Sequence, residues 1–216
     1  MAYDLMHGAH FAKSYVNDYL KNDIPVRLVS YRNGWDLNQG NLPNVERFLV
    51  HEPIALDTWP TVITVALSTG SFEHIGSNGG NPEYRVDYSM RTYVWVKTEG
   101  SEETTIMRDR LTTVVRAALL DRPCLKATDP RSSWQALIDS DTLREEFSDL
   151  TLLKGDRVMA GSYLAYNMAI NEIVSRETLG IVDEEGISLG VKNVGFNETL
   201  AGPTTTSYTT TGGYSE

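Results

Sequence analysis

Four histidines are the first residues whose type and spacing could support chemistry. His7 and His10 are three positions apart, which places both imidazoles on one face of a helix, and such a pair binds a metal when a third ligand joins it. His51 and His74 fall in predicted loops and belong to no Ser-His-Asp or Cys-His arrangement. Exposed side chains are the simpler interpretation of all four, so we predict no metal site and no catalytic histidine.

Two other segments have the composition of ligand sites without the spacing. The stretch GSNGGNPEY, residues 76–84, lacks the Lys-Ser or Lys-Thr pair and the strand-to-helix frame of a phosphate loop, so we predict a flexible connection. Asp183, Glu184 and Glu185 lack the Asp/Asn/Gly spacing of a calcium loop and indicate a solvated turn. We therefore predict no cofactor and no enzymatic activity. A small enzyme with a site assembled from distant residues stays open as an alternative.

Composition and charge limit the classes of protein that fit. A chain of 216 residues with 41% hydrophobic residues can bury one sizeable core. The formal net charge of -10 repels phosphate backbones and disfavours a general nucleic-acid binder. Cys124 is the single cysteine and cannot form an internal disulfide, as is typical of a reducing cytoplasm. The most apolar short run, VITVAL, is too brief to span a bilayer, so we expect no membrane partner.

The first third of the chain predicts one helix and two strands. Apolar residues at helical spacing predict a helix over 3–20, ended by Pro25, because proline disfavours helix at the residue before it. The alternation in PVRLVSYRNGW then predicts a strand over 26–32. VERFLVHEPI indicates a short edge segment, and TVITVALST, apolar on both faces, predicts a central strand over 61–68.

A long strand followed by a helix is the best specified part of the sequence. Within RVDYSMRTYVWVKTEGSEETTIMRDRLTTVVRAALL, alternate residues predict a strand with one face on the core and one mostly polar face. The core face comprises Tyr84, Val86, Tyr88, Met90, Thr92, Val94 and Val96. Gly100 ends the strand, Ser101 is the predicted cap of the next helix, and Pro123 stops that helix. The helix has an apolar stripe of Met107, Leu111, Val114, Val115 and Ala118.

Two large aromatic residues lie on the polar face of this strand. Tyr93 and Trp95 must be covered either by another element of the same chain or by another subunit, and both alternatives stay open. We name them as candidate protein-interface residues.

The remainder of the chain predicts helix, strand, hairpin and tail. SSWQALIDSDTLREEF indicates one or two short helices, SYLAYNMAINEIVSRE a late alternating strand, and LGIVDEEGISLGV a hairpin around residues 183–186. The predicted organisation is an α+β domain over 1–175 with an antiparallel sheet of about four strands flanked by helices, a hairpin over 176–198, and a flexible Thr/Gly/Ser-rich arm over 199–216. Tyr208 and Tyr214 are predicted anchors of an arm that orders only on a partner.

The order of these elements resembles that of the tail terminator, or tail-completion, proteins of tailed bacteriophages. The resemblance covers residues 1–175 and rests on YSMRTYVWVKTEGSEETTIMRDRLTTVVRAALL followed by LKGDRVMAGSYLAYNMAINEIVSRE. It is a likeness of organisation, because this family has no catalytic motif to match.

The resemblance implies a virion protein, assembled in the host cytoplasm, that forms a homo-oligomeric ring, a hexamer in this family. Its implied partners are the tail tube protein, the head-tail connector or stopper protein, and the sheath protein if the tail is contractile. DNA would pass through the lumen without specific binding, which suits an acidic subunit. A head-tail adaptor or stopper protein of the neck is the nearest alternative, and a host-binding module is another.

Overall fold

The computed structural model describes residues 8–53, 56–78, 80–121, 124–126, 135–148, 151–153 and 157–174. Two helices are present in these ranges, α1 (Gly8–Trp35) and α2 (Ser101–Asp121). The strands are β1 (Arg47–Leu49), β2 (Thr61–Asn78), β3 (Asn81–Thr98), β4 (Cys124–Lys126), β5 (Gln135–Phe147), β6 (Thr151–Leu153) and β7 (Arg157–Ile173). The predicted hairpin over 176–198 and arm over 199–216 lie outside the described residues.

The strands form one mixed sheet in the order β1-β2-β3-β7-β5-β4, with β6 also paired to β7. The β1–β2 pair is parallel and every other described pair is antiparallel. The predicted α+β class, with a largely antiparallel sheet flanked by helices, is confirmed. The strand count is seven, but β1, β4 and β6 have three residues each, so four long strands make up most of the sheet.

Both helices pack on the same face of the sheet and on each other. The buried side of α1 repeats every four residues, and α2 buries its predicted stripe against the core face of β3 and β7. The buried residues of α1 include Ala12, Val16, Leu20, Ile24 and Leu28. A hydrogen bond of 2.8 Å from the Tyr19 hydroxyl to the Ala118 carbonyl joins the two helices.

The first helix continues through Pro25, so the strand predicted over 26–32 is wrong. Ile24 and Leu28 extend the apolar stripe by two more turns and are fully buried, whereas Pro25 is exposed. The backbone hydrogen bond that Pro25 removes therefore lies on the solvent side of α1. Burial of the stripe outweighs the local cost of proline, which is about 3 kcal/mol in a helix interior.

The helices predicted for 132–147 are also wrong, because Gln135–Phe147 is strand β5. Ala136 and Ile138 are buried while Leu137 is exposed, which is the alternation of a strand. Between the pairs Asp139–Asn167 and Arg144–Ala165 the strand bulges by four residues, 140–143, opposite one residue of β7. There the Thr142 hydroxyl accepts a 2.9 Å hydrogen bond from the Asn167 N–H. The bulge interrupts the alternation of buried and exposed residues, so the sequence of β5 does not show the period of two that is typical of a strand.

The strand predicted over 61–68 is confirmed and extends to Asn78. The segment predicted as a flexible loop, residues 76–84, is mostly strand, since Gly76 pairs with Glu83 and Asn78 pairs with Asn81. Gly80 has a φ of +88°, a conformation that glycine adopts without strain at a hairpin turn. At the start of α2 the Gly100 carbonyl accepts from the Thr104 N–H at 3.0 Å, so Gly100 is the cap and the predicted cap, Ser101, is the first helical residue.

A carboxylate joins the sheet to the start of α1. Glu172 of β7 is 1% exposed, and its Oε1 accepts from the Tyr88 hydroxyl at 2.8 Å and from the Gly8 N–H at 3.2 Å. The carboxylate thus satisfies one of the unpaired N–H groups at a helix start, where negative charge is favourable. Burial and the hydrogen bond to Glu172 raise the pKa of Tyr88 far above its ordinary value.

Candidate interface site

The face of the sheet opposite the helices holds the candidate site. Alternation along β3 turns Arg91, Tyr93 and Trp95 away from the core, while Met90, Val94 and Val96 are fully buried. Across the β3–β7 pair, Tyr93 faces Tyr163 and Trp95 faces Gly161, and Arg91 faces Ala165. Neither described helix lies on this face, which we call the open face. It presents a row of aromatic and cationic side chains.

Arg91 is held between two tyrosines. Its guanidinium carbon lies 4.2 Å from the ring centroid of Tyr163 and 5.8 Å from that of Tyr93, within the range of cation–π attraction. The Nη1 group donates a 3.1 Å hydrogen bond to the Tyr93 hydroxyl, and this bond raises the pKa of Arg91 above its usual range. The Nε atom is buried without a hydrogen-bond partner. Arg91 is therefore a fixed cation whose hydrogen-bonding capacity is only partly used.

The carboxylate of Glu146 orients the pair formed by Tyr93 and Tyr163. The rings of Tyr93 and Tyr163 lie 5.7 Å apart and are tilted by 58°, a favourable arrangement for two aromatic rings. The Tyr163 hydroxyl donates a short hydrogen bond to Glu146 Oε2 on β5. Since only the neutral hydroxyl can donate it, this bond raises the pKa of Tyr163. Tyr163 thus contacts an anion, Glu146, through its hydroxyl and a cation, Arg91, through its ring.

Trp95 occupies space that only glycine leaves free. A β-carbon on residue 161 would lie 2.5 Å from Trp95 Cζ3 and 2.6 Å from Cε3. The indole ring therefore rests directly on the β7 backbone and is partly exposed on its other side. Next to it, the Lys97 ammonium lies 5.6 Å from the ring centroid of Trp59.

The structure places the predicted residues Tyr93 and Trp95 on the open face, and their role as interface residues stays a prediction. The sequence reasoning missed Tyr163 and Glu146 as their neighbours, and it assigned no role to Arg91, which lies on the same face of the strand. In the alternation of the late strand, Tyr163 falls among the residues that point away from the core. The sequence pattern could therefore have identified it. The pattern could not have identified Glu146, because its segment was predicted as helix. The other two predicted interface residues, Tyr208 and Tyr214, lie outside the described residues.

The candidate ligand residues are scattered through the fold. His10 lies on α1 with its ring 5.4 Å from that of Phe11, and His51 lies in the connection after β1. His74 is in β2 with its ring 5.3 Å from that of Tyr84, so its predicted loop position is wrong. His7 and the acidic residues 183–185 are outside the described residues. Within the described ranges, no group of three or more His, Cys, Asp or Glu side chains is placed to hold a metal ion.

Comparison with family models and with curated proteins finds no relative of this chain. No family model matches the chain, and no curated protein matches it in sequence. Of the two described helices, neither has an apolar stretch long enough to cross a lipid bilayer.

Proposed function

We propose that this chain is a structural, non-catalytic subunit of the neck of a tailed bacteriophage. It forms a homo-oligomeric ring, a hexamer, that terminates the tail tube and joins it to the head connector. The observation that carries this proposal is the open face, where Arg91, Tyr93 and Trp95 project from a sheet whose other face is covered by its own helices. Tyr, Trp and Arg are the residues enriched at protein interfaces. A ring subunit needs such a surface because each copy is covered by its neighbours.

The charge of the chain supports the same proposal. A net charge of -10 gives a ring whose surfaces repel the phosphates of DNA, so a duplex passes through the lumen without adhering. The proposed partners are identical copies, the tail tube protein, the connector or stopper protein, and the sheath protein in a contractile tail. The proposed location is the virion, with assembly in the host cytoplasm.

The experiment is complementation of particles assembled without this chain. We expect heads and tails that fail to join, and we expect joining to be restored by purified protein but not by the variant Tyr93→Ala combined with Trp95→Ala. Joined, infectious particles in the absence of the chain would overturn the proposal. An electron-dense label on the subunit gives its position: a label against the head connector rather than at the end of the tail tube would assign the chain to the adaptors or stoppers instead.

A further inference from the structure

Strand β2 has a long edge without a partner strand in the described part of the chain. β1 pairs with β2 only at Thr61, Val62 and Ile63, and β3 occupies the other edge. Along residues 64–78 the outer edge therefore presents backbone donors and acceptors that no described strand uses. Unpaired edges of this kind are templates for another extended segment.

Three large apolar side chains are exposed along this edge, and almost none of its side chains is charged. Leu67, Phe72 and Ile75 are 49%, 57% and 43% exposed. Residues 64–78 contain one charged side chain, Glu73, and neither lysine nor proline, which are the usual protections of an exposed edge. In a chain of net charge -10, an edge with one charged side chain would let a second copy approach with little repulsion.

The irregularity of β2 restricts what can pair with it. Leu67 and Ile75 are the additional residues at two register shifts, and a third shift lies between Thr69 and Phe72. Such bulges bend a strand and divide its edge into short stretches. A flexible segment of small and β-branched residues follows that path more readily than a preformed strand does.

The carboxyl-terminal arm has this composition. Residues 204–211 read TTTSYTTT, without charge, proline or glycine, and Glu216 is the one charged side chain in 199–216. Threonine and tyrosine favour extended pairing. In an extended arm Tyr208 and Tyr214 have the same parity and lie on one face, where they can contact the exposed apolar side chains of the edge.

The path of the chain lets the arm reach another copy. The Val174 N–H donates a 2.9 Å hydrogen bond to the Pro82 carbonyl, so the described chain ends beside the β2–β3 hairpin. The near end of its own β2 strand is about 10 Å away, two strand spacings across β3. The segment 175–203 has 29 residues and, fully extended, spans up to about 100 Å. This is far more than pairing with its own edge requires.

We propose that residues 204–211 of each copy add as a strand to the free edge of β2, residues 64–78, in the neighbouring copy. Each subunit then donates one arm and accepts one, which is a head-to-tail contact that closes into a ring. The inference rests on the proposed ring, for which it supplies a contact between subunits in addition to the open face.

The test is disulfide trapping between two full-length chains expressed together. Both carry Cys124→Ser, one carries Ser207→Cys on the arm, and the other carries Ile75→Cys on the edge and a tag that separates the two by mass. The control replaces Ile75→Cys by Val26→Cys, which introduces a thiol at a 69% exposed position on α1. We expect the mixed disulfide to form several-fold more with Ile75→Cys than with Val26→Cys. Adding Phe72→Lys to the edge chain should reduce the yield.

The mass of the same oxidised samples separates the two proposals. Rings that form without the mixed disulfide, or with equal yields for Ile75→Cys and Val26→Cys, overturn the arm contact alone. A further sample, a chain that carries both Ile75→Cys and Ser207→Cys, tests whether the arm folds back. A disulfide that forms only within that chain also overturns the contact. Chains that stay monomeric and unlinked overturn the contact and the ring together.

Discussion

The indole ring of Trp95 lies on the backbone of Gly161, so close that a β-carbon at position 161 would fall 2.5 Å from the ring. The two residues face each other across the β3–β7 pair, on the side of the sheet that the helices leave free. Glycine here leaves free the space that the ring occupies. The partly exposed side of the indole thus has a defined orientation before any partner binds.

Gly161→Ala should displace the Trp95 ring. Overpacking of this kind costs about 1 to 3 kcal/mol, and we expect the free energy of unfolding in urea to fall by that amount, with a shift in tryptophan fluorescence. Gly34→Ala is the matched control, because nothing lies within 4 Å of a β-carbon at that helical position. Combining Gly161→Ala with Trp95→Ala should remove most of the cost attributable to the clash. Equal losses in Gly161→Ala with and without Trp95 would contradict the contact.

Trp95→Ala and Tyr93→Ala should each weaken assembly more than they destabilise the isolated subunit. Their rings are partly exposed on the open face, and truncation removes the surface that a neighbour covers there. We expect oligomers of each variant to dissociate into subunits at a higher protein concentration than those of the unchanged protein, as measured by light scattering. Trp35→Ala, at a 41% exposed position on α1, is the control that should assemble normally. A large drop in subunit stability with unchanged assembly would make these rings part of the core.

Glu172→Leu should destabilise the subunit by about 2 to 4 kcal/mol, because the Tyr88 hydroxyl and the Gly8 N–H would both lose their acceptor. Glu172→Gln keeps an acceptor oxygen and should cost less. Tyr88→Phe in the Glu172→Leu background should recover part of the lost stability, because it removes one of the two donors left without an acceptor. Additive costs in urea unfolding would mean that the two side chains act independently.

Alkaline pH should destabilise the fold through Tyr166. This side chain is 2% exposed, its hydroxyl lies 3.0 Å from that of Thr92, and burial raises its pKa far above the ordinary value of 10.0. The folded state holds this proton more tightly than the unfolded chain. The stabilisation is therefore fully present below pH 10 and is lost progressively as the pH rises from that value towards the raised pKa of the folded state.

The variant Tyr166→Phe isolates this effect. It should cost about 1 kcal/mol at neutral pH through the lost hydrogen bond. Above about pH 10 the free energy of unfolding of the variant should fall less steeply than that of the unchanged protein. The difference between the two slopes should be about 1.4 kcal/mol per pH unit. Urea unfolding from about pH 8 to pH 11 measures both slopes, and parallel curves would contradict the assignment to Tyr166.

The parts of the fold that the sequence predicted are those with an uninterrupted period. In β3, six alternate positions from Val86 to Val96 are buried, and α2 has one continuous apolar stripe, so both elements were predictable from pattern alone. The resulting position of Tyr93 and Trp95 on the face away from the core was predictable as well. Each of these features depends only on residues close in sequence.

The errors arose where a contact distant in sequence overrides a local signal. Pro25 normally ends a helix, yet α1 continues because Ile24 and Leu28 are buried against the sheet. The bulge at residues 140–143 breaks the alternation of β5, and its partner β7 is more than 20 residues away. The neighbours of Tyr93 come from β5 and β7, so that part of the candidate site required the pairing register.

The central claim is that this chain assembles through its open face into a ring, and the mass of the purified full-length protein in solution tests it most directly. Mass photometry with images of the same sample should give particles of about six times the 24.1 kDa subunit mass, seen as closed rings. The Tyr93→Ala and Trp95→Ala double variant should shift them to single subunits. A folded protein that remains a 24.1 kDa monomer at every concentration, both alone and with tail tubes, would contradict the account.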